Sequence, residues 1–150
     1  MIDLFQHPAS TLVTASDAAT LDNLHDRASH ARPGAVVRRL RGGKCADERG
    51  FFDEAMAALQ LPHYSGSNWN AFEESLSQYW LPADGMLILV ADAQRIFAAS
   101  TGALATLSRI VAGGLIPPPR PLRLLYQTPA AEHAAFVARL AGAGVAHAVI

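Results

Sequence analysis

Two carboxylates, two asparagines and a tyrosine gathered around one predicted helix start are the residues of this chain whose types and spacing could do chemistry. In the stretch LQLPHYSGSNWNAFEESL, from Leu59 to Leu76, Pro62 and Gly66 interrupt the preceding helical pattern. Ser67 or Asn68 then offers a side-chain oxygen to cap the amides of a new helix that begins near Trp69. Trp69, Phe72, Leu76 and either Tyr79 or Trp80 recur at three- and four-residue spacing, so they form the stripe that faces a core. Asn70, Glu73, Glu74, Ser77 and Gln78 fall on the opposite, polar face, with Tyr64 and Asn68 of the preceding loop beside it. Acids near a helix start have a plain structural reason, since the helix dipole stabilises each by a few tenths to about 1 kcal/mol. Set on a rigid ridge, the same acids and amides also suit charge-assisted recognition of a cationic surface, and need no bond-making.

The residue patterns of catalysis are missing. The segment GGKCADE before a predicted helix invites a phosphate-site reading, but the G-x-x-x-x-G-K-[ST] spacing is not there, and no G-x-G-x-x-G occurs. The chain has one cysteine, Cys45, and no HExxH, so no metal site is expected. A Cys45–His63 nucleophile pair has no third residue to orient it. Cys45 begins a helix, where a thiolate would be favoured, but a small side chain in a capping region is the better account of it. The expectation is a binding protein, not an enzyme, with no cofactor.

The elements that must position the ridge follow from periodicity. AVVRRLR, residues 35–41, lies between Pro33-Gly34 and Gly42-Gly43 and reads as an edge or near-edge strand. Residues 47–60 read as a helix with Phe51, Phe52, Ala55, Met56 and Leu59 inward, and the ridge helix follows. MLILVA, residues 86–91, has the continuous apolar character of a strand covered on both faces, which places it at the centre of a parallel sheet. A long helix is predicted over residues 94–111, a strand over 122–127, a helix over 130–140 and a last strand over 146–150. Residues 11–31 supply an N-terminal strand and helix. Strands alternating with helices predict an α/β fold, a parallel sheet flanked by helices.

The motif LPxYxGxNWxAFxxxL, together with the preceding LRGGKCADERGFFDEAMAALQ, resembles the barstar family, small intracellular inhibitors of barnase-type secreted ribonucleases. The resemblance implies a small barstar-like sheet within one domain spanning residues 1–150. Its family-like core covers about residues 36–128, with an N-terminal addition over 1–32 and a C-terminal helix and strand over 129–150. It also implies a partner surface made of Tyr64, Asn68, Trp69, Asn70, Glu73, Glu74 and Ser77. On that alignment Glu74 enters among the phosphate-binding cations of a nuclease, and Tyr64 packs on its catalytic histidine. Three departures stand out: Asn70 replaces an acid, Glu73 replaces an aromatic, and Arg109 falls near a position where an acid would help. They point to a cleft other than that of barnase itself.

Charge distribution fits such a partner. The net charge of −1 conceals six basic residues and no acid from Arg27 to Lys44, then seven acids against Arg49 alone from Cys45 to Gly85. An acidic block of this kind steers a basic protein toward itself and gives no reason to expect direct nucleic-acid binding. No basic leader with an apolar run opens the sequence, and no stretch approaches about 20 apolar residues, so a cytoplasmic protein without a membrane segment is expected. A lone cysteine agrees with a reducing compartment. The expected function is inhibition of a basic small ribonuclease or related toxin by mimicry of its substrate's phosphates. The alternative is a binding module of a toxin-immunity or regulatory system whose partner is not a ribonuclease.

Overall fold

The computed structural model describes residues 3–61, 67–77, 82, 84–100, 102–113 and 120–150. Five strands, β1 (Thr11–Ala15), β2 (Val36–Arg41), β3 (Met86–Ala91), β4 (Leu122–Thr128) and β5 (Ala148–Val149), form one sheet in the order β2-β3-β4-β1-β5. Every pairing is parallel. The helices are α1 (Ala18–Ala31), α2 (Glu48–Ala58), α3 (Trp69–Ser75), α4 (Ala103–Val111) and α5 (Ala130–Gly142). The predicted α/β class and the helix and strand order are borne out.

Strand alternation divides the interior in two. On β3, Met86, Ile88 and Val90 join Phe51, Phe52, Phe72, Leu107, Ile110 and Phe136 on one face of the sheet, whereas Leu87 and Leu89 join Leu4, Phe5, Leu21 and Ala28 on the other. The first face is packed by α2, α3, α4 and α5, and the second by α1 and a short turn at Leu4–Gln6. Topology explains the imbalance. From β1 the chain crosses β4 and β3 to reach the β2 edge, and then works back through β3 and β4 to β5. With one crossover hand, reversing the direction of travel puts α1 on one face and every later helix on the opposite one.

Two expectations are corrected. β3 is interior but not central: β4 holds the middle place, because the N- and C-terminal segments contribute β1 and β5 beyond it. β3 is the middle strand only of the trio β2-β3-β4. The helix predicted over 94–111 is also shorter, being α4 alone. After β3 the chain makes a single tight turn at Ala93–Arg95, then adopts positive φ at Phe97 (52°) and Gly102 (83°), and a helix cannot run through either. Ile96 and Phe97 are nonetheless buried, as the apolar pattern required. β2 lies at the sheet edge as expected.

Candidate functional site

α3 starts at a side-chain cap. Asn68, with extended backbone, accepts a hydrogen bond from Ala71 N–H on Oδ1 at 2.8 Å, so of the two candidate caps Asn68 fills the role. Trp69 follows, half-buried, on a platform of phenylalanines: it stacks on Phe51 at 5.3 Å between ring centroids and meets Phe52 edge-on at 4.9 Å, with Phe97 and Phe72 at 5.9 and 6.0 Å. Such pairs contribute about 0.5–1.5 kcal/mol each beyond the area they bury. The platform is itself tied down. Phe97 N–H donates to Cys45 O at 2.7 Å and Ala99 N–H to Ala46 O at 3.0 Å, which fixes the turn after β3 against the entry to α2.

Burial sorts the α3 side chains. Phe72 and Leu76 face the core as predicted, and Asn68, Asn70 and Glu74 are exposed. Asn70 and Glu74 stand one turn apart and share a face. Glu73 and Ser77 depart from expectation, at only 7% and 8% exposed. The phenylalanine platform lies against this short helix, and Arg109 of α4 approaches Glu73, which lies off the apolar stripe. Ser77 Oγ donates to Glu74 O at 3.1 Å, and Glu73 turns toward α4, where its Oε2 lies 3.5 Å from Arg109 Nη1. Tyr64, His63, Gln78, Tyr79 and Trp80 lie outside the described residues.

The acidic block therefore divides. Asp47 caps α2 by accepting from Gly50 N–H at 2.8 Å, and Glu48 accepts from Ser100 Oγ at 3.3 Å. Glu54 is 8% exposed and accepts from the Arg41 backbone N–H, Nε and Nη2 at 2.7–2.8 Å. The Arg41 side-chain hydrogen bonds, with its backbone N–H and its charge, hold the Glu54 carboxyl below its ordinary range. Asp53, Glu74 and Asp84 are exposed and pair with no cation among the described residues. Of the two α3 acids, only Glu74 is exposed.

Cys45 is fully buried, and burial, its largest influence, pushes the thiol up to about 12, the reverse of an activated nucleophile. The N-terminus of α2 is occupied by its own Asp47 carboxylate, which takes the place an anion would need. In open parallel sheets, ligands bind beyond the carboxyl ends of the strands. Here Gln127 at the end of β4 bridges that region, accepting from Asp92 N–H at 2.9 Å and donating to Ser16 O at 2.6 Å. A cavity of about 410 Å³, lined by Leu4, Phe5, Leu24, Ala28 and Ile150 among others, lies on the α1 face of the sheet, opposite to α3. Among the described residues no group of three or more His, Cys, Asp or Glu could hold a metal, and no helix is long and apolar enough to cross a membrane.

No curated protein matches the chain. Among solved structures, a chain in the "Structure of Drosophila ORC bound to AT-rich DNA and Cdc6" is similar at a TM-score of 0.54 and 16% identity. The match covers 92% of this chain and 47% of that one, and at such identity it speaks to the fold alone. The family described as Barstar (barnase inhibitor) matches residues 35–113, the segment that carries β2, α2, α3, β3 and α4. That match spans more than half of the sequence and contains Asn68, Trp69, Glu74 and the platform beneath them, and on it the chain belongs to the barstar family.

Proposed function

We propose that this protein is an inhibitor that occupies the active-site cleft of a small basic ribonuclease, using α3 and the loop that precedes it. One observation carries the reading: Glu74 is exposed and unpaired among the described residues, on a helix whose start is pinned by the Asn68 cap and by Trp69 on its phenylalanine platform. A nuclease cleft gathers Arg, Lys and His around phosphates, and a carboxylate held rigidly at one of those positions satisfies the same donors through charge-assisted hydrogen bonds. Rigidity matters, since a pre-ordered side chain loses less entropy on binding. Asn68 and Asn70 add amide groups beside it, and Tyr64 completes the surface by the family alignment. The protein itself performs no catalysis in this role, which belongs in the cytoplasm of a cell that must be shielded from its own nuclease.

A second reading is favoured by one observation. Glu73 is turned inward, so α3 offers one exposed carboxylate rather than two, and a partner other than a ribonuclease, within a toxin-immunity or regulatory system, fits that weaker charge as well. Titrating a panel of guanyl-specific bacterial ribonucleases separates the two. The inhibitor reading expects stoichiometric loss of activity for at least one member, and weakening by about 2 kcal/mol or more for Glu74→Ala. Full nuclease activity across the panel with excess protein present rejects it in favour of the second.

A further inference from the structure

Arg109 projects from α4 beside α3, and its side chain is 60% exposed although it faces a buried carboxylate. Glu73 Oε2 receives no hydrogen bond, and Arg109 Nη1 stands 3.5 Å away, close enough to balance charge and too far for a good hydrogen bond. No N–H of the guanidinium is hydrogen-bonded to another described residue, so its planar fork of donors remains open to solvent. Glu73 thus anchors a cation at the border of the surface that carries Glu74, the next residue along. The exposed charges of this region are thus an anion at Glu74 and a cation at Arg109, not a run of anions.

Resting on the reading of α3 as the partner surface, we infer that Arg109 is its specificity-determining residue: it selects a partner that presents a carboxylate beside the cationic pocket receiving Glu74. A guanidinium with free donors is the natural counterpart of a carboxylate, which it can bind through two parallel hydrogen bonds. The same charge opposes a cleft that is cationic throughout, because a like charge placed at an interface is costly and slows encounter. Glu73 is the positioning residue: it reaches the partner only through Arg109.

Barnase serves as the probe of a phosphate-binding cleft, titrated with the wild type and with Arg109→Gln, Arg109→Lys and Glu74→Ala/Arg109→Gln at low and high ionic strength. Arg109→Gln is expected to bind barnase about tenfold more tightly than the wild type at low ionic strength. That advantage shrinks as salt screens the charge, and Arg109→Lys behaves as the wild type. An Arg109→Gln affinity equal to or below that of the wild type, including no binding by either, overturns the inference. If Arg109→Gln binds and the added Glu74→Ala leaves its affinity unchanged, the fault lies instead in the underlying reading of α3. Should Arg109→Gln lose its cooperative unfolding, Glu73→Gln/Arg109→Gln leaves no buried charge unpaired and carries the same comparison, with a gain again expected and its absence contradictory.

Discussion

Glu54 and Glu73 are both buried glutamates, 8% and 7% exposed, and each faces an arginine that reaches into solvent. Glu54 receives three hydrogen bonds from Arg41, one of them from a backbone N–H on the outer edge of β2, whereas Glu73 Oε2 receives none. The first pair closes an otherwise open sheet edge. Unpaired edge donors invite strand addition from other chains, and a carboxylate clamped across the end of β2 removes one of them. The second pair does nothing comparable for the fold. It holds a cation at the rim of the surface that presents Glu74. Two similar ion pairs are thus distinguished by whether their hydrogen bonds are completed: the carboxylate of Glu54 is satisfied by Arg41, whereas the buried Oε2 of Glu73 has only the charge of Arg109 nearby.

The largest expected effect breaks the first pair. Glu54→Ala removes hydrogen bonds made to a charged group and should lower the unfolding free energy by about 2 kcal/mol in denaturant titration, with partner binding unaffected. The matching change at the second pair, Glu73→Met, should shift stability by less than about 1 kcal/mol in either direction, since a poorly satisfied buried charge contributes little net stability. Equal losses at the two sites would erase the distinction. The smallest effect concerns pH. The Glu54 carboxyl lies below its ordinary range because Arg41 hydrogen-bonds to its ionised form, so its contribution is present above the unfolded-state value of about 4.3 and is lost as pH falls through the lower folded-state value. The acid-side decline in stability should therefore be shallower in Glu54→Gln than in the wild type, and identical slopes would assign the dependence to other carboxylates.

The two regions also differed in how far the sequence disclosed them. Pro62, Gly66 and Asn68 announced the start of α3 because breaking and capping are local properties of residue types. The edge position of β2 was readable from its arginines, and the buried character of β3 from its unbroken apolar run. The inward turn of Glu73 was not readable. Helical periodicity assumes one buried stripe, and Glu73 is buried outside that stripe, turned toward Arg109 of α4. Arg109 is the signal that could have found it, as a cation on a neighbouring helix able to neutralise a buried acid, but that pairing becomes visible only once α3 and α4 are in contact. The widening of the sheet by β1 and β5 was hidden for the same reason, because strand order depends on crossovers that local patterns do not encode.

Hydrogen exchange in the complex tests most directly whether α3 is the surface that meets a partner. With the most strongly inhibited ribonuclease of the panel bound, amides of residues 69–77 should exchange more slowly while those of β2, residues 36–41, remain unchanged. Slowed exchange along β2, with α3 exchanging as in the free protein, would contradict the account.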